Sequence, residues 1–144
     1  MNMRIVILLG LLHVSAALPA ADDPVSMSGK ELYARYCTAC HGETGRGDGP
    51  VSASLKAEAP DISLIAQRHG GTFPRDLVER IIDGRHVLAG HGTREMPFWG
   101  EELSRARLGD PDAEAATRLM TARLADYVAL LQRPAAGQNP TPQR

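Results

Sequence analysis

Cys37-Thr38-Ala39-Cys40-His41 constrains the fold of this 144-residue chain more than any other feature, because Cys37 and Cys40 are its only 2 cysteines. Two Cys spaced by two residues, with His directly after the second, form the pattern of covalent c-type haem attachment. At the end of a helix the two sulfurs lie close enough to bond both vinyl groups of one porphyrin, and the following imidazole then points at the iron. On this reading His41 is the proximal ligand. Three other readings compete. A Cys37–Cys40 disulfide would close a very small loop and leave His41 without a role. A thioredoxin-type redox pair needs a βαβ setting, which the chain lacks. A zinc site would draw on His86 and His91, whose four-residue gap suits paired ligands; yet 45 residues separate Cys40 from His86, far outside finger spacing.

Composition acquires a specific meaning beside that motif. Only 2 Phe, 3 Tyr and 1 Trp are present, and aromatic side chains supply much of the apolar area of a small core. A domain this short needs another filler. A haem is a large, flat apolar body that would supply it, with Tyr33, Trp99 and Tyr127 expected against or near the porphyrin. Without haem the chain should fail to fold stably. The formal charge of -1, from 16 bases and 17 acids, argues against a nucleic-acid binder.

Residues 1–21 read as a secretory signal. Arg4 is their only charge, Ile5 to Leu12 form a short apolar stretch, and small residues follow at Ser15, Ala16, Ala17, Ala20 and Ala21. Cleavage is expected between Ala17 and Ala21. The apolar run falls short of the ~20 residues a spanning helix needs, so the mature chain is expected to have no membrane span. Export means an oxidising compartment, where free thiols are usually bonded to something.

The domain is expected over residues 22–133, followed by a disordered Pro-rich tail over 134–144. Ser28-Gly29-Lys30-Glu31 fits a capping box opening a short helix that runs into Cys37. Gly42 to Pro50 should be a tight glycine-rich loop. A second helix is expected from Asp61 to about Arg68. A third carries Leu77, Val78, Ile81 and Ile82 on one face between Pro74 and Gly84. Arg85 to Gly100 reads as a loop. A long final helix follows the Asp110-Pro111 cap, with Ala116, Leu119, Met120, Leu124, Tyr127, Val128 and Leu131 on one face. No strand-like alternation of useful length is present. The fold class is all-α, with long loops of the kind that wrap something.

Met96 is assigned the second axial position on iron. It sits in a loop, and Pro97 restrains the backbone behind it. Met120 falls on the apolar face of the final helix, where a core role suits it, and Met27 starts too far from the thiols. His91, and after it His86, is the alternative in a bis-histidine site. From about Ser28 to Gln132 the chain resembles the small class I c-type cytochromes of the bacterial periplasm. Gly29, Tyr33, Cys37-Thr38-Ala39-Cys40-His41-Gly42, Gly45 to Pro50, Pro60-Asp61, Ile82 to Arg85, Met96 to Gly100 and Tyr127 to Leu131 carry the resemblance. It implies a cytochrome c fold, in which first and last helices cross and the haem lies in a crevice closed by the Met loop. It also implies one covalent haem c on Cys37 and Cys40, iron ligated by His41 and Met96, and the Pro50 carbonyl on the outer nitrogen of His41, an orienting bond of a general kind.

With both axial positions filled by protein, the expected task is single-electron transfer between periplasmic redox partners, a dehydrogenase or an oxidase, with no catalysis of its own. The alternatives are a haem-binding subunit of a dehydrogenase or oxidase complex, and a gas- or peroxide-reactive haem protein with a labile sixth ligand. Between Glu43 and Met96 seven bases face eight acids, which gives no strong electrostatic partner preference. Arg46, Arg68, Arg75, Arg80, Arg85 and Arg94 are expected on a solvated face, where some would pair haem propionates or form a docking rim.

Overall fold

A computed structural model describes residues 23–85 and 96–134. The secretory-signal reading of residues 1–21, His86 and His91, and nearly all of the Pro-rich tail lie outside the described residues. Helix is the regular structure of the described residues, and none of them forms a strand. The order is α1 (Gly29–Tyr36), α2 (Thr38–His41), α3 (Ile65–Arg68), α4 (Arg75–Asp83), α5 (Trp99–Arg105) and α6 (Ala113–Leu130), with 3-10 turns at Pro24–Ser26, Ser52–Ser54 and Ile62–Leu64.

The capping box opens α1 as its residues require. Ser28 Oγ accepts from Glu31 N at 3.3 Å, and the Glu31 carboxylate accepts from Ser28 N at 2.7 Å, so two orphan donors of the first turn are satisfied. The second expected helix is split into the 3-10 turn Ile62–Leu64 and α3. Asp61 caps the turn by accepting from Ser63 N at 2.9 Å. The third is α4, which stops at Gly84 as expected.

The core joins α1, α4, α5 and α6. Leu32 and Tyr33 of α1, Val78 and Ile82 of α4, Leu103 of α5, and Met120, Leu124, Ala125 and Val128 of α6 form one buried cluster with Cys37. Gly29 lets α1 lie close on α6, since a side chain there would run into the Arg123 carbonyl. Arg123 itself reaches back to the N-terminal turn, donating to Val25 O at 2.5 Å and Met27 O at 3.1 Å. The apolar stripes are narrower than the sequence implies. Ile81 and Leu119 are 48% and 43% exposed, because Val78 and Ile82, and Met120 and Leu124, sit four apart and turn the adjacent positions to the side.

α5 was not foreseen. Its signal is local electrostatics: Glu101 and Glu102 lie in the first turn and Arg105 in the last, in the sense the helix dipole favours. Arg105 bonds Glu102 at 2.7 Å and Glu101 at 2.5 Å, and the buried Leu103 anchors the helix to the core.

Candidate functional site

The pentapeptide sits where α1 gives way to α2. Cys37 closes α1, its N–H donating to Tyr33 O at 2.9 Å, and is at the same time the cap of the single turn Thr38–His41. Cys37 is buried, Cys40 half-buried, and the two form no disulfide. A turn this short cannot stand alone. Its free carbonyls are taken up by the glycine-rich loop: Val51 N donates to Ala39 O at 3.0 Å, Gly49 N to Cys40 O at 3.2 Å and Gly47 N to His41 O at 2.9 Å. The loop can come this close because Gly49 has no Cβ; one placed there would lie 2.5 Å from Thr38 O. Tyr33 adds a bond from its hydroxyl to Gly42 O at 2.8 Å. The loop foreseen as a wrapper thus wraps the pentapeptide's own backbone.

His41 is held by its outer nitrogen. Nδ1 lies 3.3 Å from Pro60 O, and because a carbonyl only accepts, the proton sits on Nδ1 and the lone pair on Nε2. Burial lowers the His41 pKa against the opposing effect of that hydrogen bond, which favours the neutral, ligand-competent form. Here the structure corrects the sequence reading: Pro50, expected to orient His41, is exposed, and Pro60 does so instead. Pro50 lies in the part of the loop that folds back on Ala39 and Cys40, whereas Ala59-Pro60 passes under Gly47 and so reaches the imidazole.

Burial, and after it the nearby Cys40, pushes the Cys37 thiol up to about 12. Among the described residues no group of three or more His, Cys, Asp or Glu side chains is placed to hold a metal ion.

The aromatic residues expected near a porphyrin fall into two pairs. The rings of Tyr33 and Tyr127 are 5.3 Å apart and tilted by 52°. Trp99 lies 5.1 Å from Tyr36, the last residue of α1, at 51°. Trp99 therefore stands next to the turn that carries the thiols. Met96, three residues earlier, is half-buried against the core, while Met120 is buried within it. The start of α5 is seated on α4: the Asp83 carboxylate lies under Gly100, 2.6 Å from where a Cβ would be. Arg85 grips that carboxylate from Nε at 2.8 Å and Nη2 at 2.6 Å, and reaches Glu114 of α6 from Nη1 at 2.7 Å. Arg75 likewise joins Glu79 at 2.7 Å and Asp126 at 2.5 Å. These two arginines tie helices together instead of lining a solvated face. The sequence reading also missed Arg133 and Gln132, described below.

Helices and one all-protein cradle around an unbridged Cys-x-x-Cys-His turn define a c-type cytochrome domain. The family model described as cytochrome c oxidase, cbb3-type, subunit III matches residues 25–110, and the chain belongs to that family. It is 32% identical over 91 residues to the Cbb3-type cytochrome c oxidase subunit FixP of Azorhizobium caulinodans, a match covering 63% of this chain and 26% of that protein. The chain thus spans about a quarter of the length of that relative. No solved structure matches. Membership implies covalently bound haem c with its iron and an electron carrier. The residues present fit such a group: two unbridged thiols on neighbouring turns and an adjacent imidazole whose Nε2 carries the lone pair.

Proposed function

We propose that this chain is the haem c electron-transfer domain of a cbb3-type oxidase complex. Cys37 and Cys40 carry the thioethers, and His41 and Met96 are the axial ligands. Tyr33, Trp99 and Tyr127 stand against or near the porphyrin. Haem c, once bound, supplies a one-electron iron couple, and a Met/His ligand pair raises its reduction potential relative to other sets. The chain's own residues hold and orient. Pro60 fixes the tautomer and direction of the His41 ring, and the Gly42–Pro50 loop keeps the pentapeptide in place. The contacts between Asp83, Arg85 and α5 steady the segment that follows Met96.

The observation that carries this reading is the imidazole of His41, held at Nδ1 by Pro60 so that Nε2 carries the lone pair, directly after two unbridged thiols. The family favours an oxidase-associated domain over a freely diffusing shuttle, so the partner is an oxidase subunit. Among the described residues no helix is long and apolar enough to cross a membrane. The domain spans residues 22–133, is exported by the 1–21 signal and works in the periplasm.

A denaturing gel stained for haem, together with a pyridine haemochrome assay, should find haem that survives denaturation and is lost in Cys37→Ala/Cys40→Ala. The ferric protein should carry the weak far-red sulfur-to-iron band, and Met96→Ala should abolish it. A spectrum unchanged by Met96→Ala would refute the ligand set. Isolation of the native protein free of any oxidase would refute the partner.

A further inference from the structure

The carbonyl that holds His41 belongs to a segment fastened by the residues just after α6. Pro60 is followed by Asp61, Ile62 and Ser63. On one side Gly45 O accepts from Ile62 N at 2.7 Å and from Ser63 N at 3.2 Å. On the other, Arg133 donates from Nη2 to Asp61 Oδ2 at 2.8 Å, from Nε to Ser63 Oγ at 2.8 Å, and from its backbone N–H to Ser63 O at 2.9 Å. Gln132 Nε2 adds a bond to Ile62 O at 2.9 Å. Ser63 is fully buried, so the groups meeting there have given up water and depend on these partners.

We propose that Arg133 is a positioning residue for the His41 imidazole: by clamping Asp61 and Ser63 it holds the Pro60 carbonyl on Nδ1 and so sets how strongly His41 donates to iron. The proposal rests on His41 being the proximal ligand. A partner on the outer nitrogen of a ligating His raises its basicity, and a more basic imidazole favours ferric iron. Releasing the carbonyl therefore raises the reduction potential. Arginine suits the task because its rigid fork meets a carboxylate and a hydroxyl at once, which a lysine ammonium on a flexible stem does not. The family match ends at residue 110, so the clamp comes from beyond the matched span.

The test uses haem-loaded wild type, Arg133→Ala and Arg133→Lys. Arg75→Ala serves as the control, because it breaks ion pairs with Glu79 of α4 and Asp126 of α6, away from the Pro60 segment. Equilibrium redox titration gives the potential, and NMR of the ferric protein gives the exchange rate of the His41 Nδ1 proton. Arg133→Ala should favour the reduced form by roughly three- to tenfold at a fixed poise, the tenfold limit being about 59 mV for one electron. Proton exchange should quicken, and Arg133→Lys should shift both by less. Arg75→Ala should lower the melting temperature and leave potential and exchange alone. A lower melting temperature in Arg133→Ala with neither potential nor exchange changed would overturn the proposal and leave the ligand assignment standing. Absence of a paramagnetically shifted His41 in the wild type would instead remove the assignment, and the proposal with it. Should Arg133→Ala fail to accumulate, Asp61→Asn is judged by the same two readouts.

Discussion

Gly49→Ala isolates the contact between the glycine loop and the pentapeptide. The new Cβ would stand 2.5 Å from Thr38 O and 2.6 Å from Ala39 C, both backbone atoms, so no side chain can swing aside. Restoring an ordinary contact of 3.4 Å means moving the loop off the turn. That movement breaks the bonds from Gly49 N to Cys40 O at 3.2 Å and from Val51 N to Ala39 O at 3.0 Å. Two net hydrogen bonds are worth roughly 1–3 kcal/mol, and overpacking adds about 1–3 kcal/mol, so the expected cost is roughly 2–6 kcal/mol. Gly70→Ala is the comparison. Gly70 has a φ of +67° with nothing within 4 Å, so only the left-handed backbone penalty of about 1–2 kcal/mol applies. Denaturant and thermal unfolding of the haem-loaded variants measure both. Gly49→Ala should lower the melting temperature by about 10–20 °C, clearly more than Gly70→Ala. If the two variants melt together, the loop does not hold the turn and the argument for its glycines fails.

Two further outcomes test the assignment of side chains. Met120 is 1% exposed within the core, so Met120→Ala should cost about 2–5 kcal/mol and Met120→Leu under about 1.5 kcal/mol, with the far-red band retained in both; loss of the band in Met120→Leu would move the sulfur ligand to α6. The pKa of Glu114 is lowered first by its hydrogen bond from Arg85. A carboxylate with a depressed folded pKa contributes stability above its unfolded value of about 4.3 and loses it as pH falls through the folded value. Stability should therefore drop on acidification below about pH 4, and Glu114→Gln should flatten that dependence; an identical acid-unfolding curve in Glu114→Gln would show that the Arg85 pairing contributes nothing.

Chemistry and local capping were legible because each is written in a few adjacent residues. The capping box at Ser28, the stop at Gly84 and the attachment motif itself need only short-range rules. What escaped depends on segments far apart in sequence. Pro50 and Pro60 flank the same excursion, and nothing local tells which carbonyl reaches His41; the answer is set by Gly47 lying against Ala59 and by Gly45 pairing with Ile62 and Ser63. Arg133 stands 70 residues from Ser63, just past the end of a helix whose apolar face draws attention away from the polar residues that follow it. α5 was hidden for a different reason, since Leu103 is its one buried large apolar residue and a seven-residue helix with a single anchor has no period to detect.

The last helix therefore acts on the site at two points of different stability. Midway along, Met120, Leu124 and Val128 pack with Leu32 and Tyr33 of the helix that ends in Cys37, and only global unfolding frees that contact. Just beyond its end, Gln132 and Arg133 hold the segment behind His41 through hydrogen bonds at a partly exposed margin, where opening costs less than unfolding the core. Fraying of the final turn would then loosen the His41 partner while both thiol-bearing residues stay seated. On the assignment proposed for His41, this separates two roles: the turn that carries the thiols is held by the core, whereas the orientation of the imidazole depends on a few polar contacts at the margin of the fold.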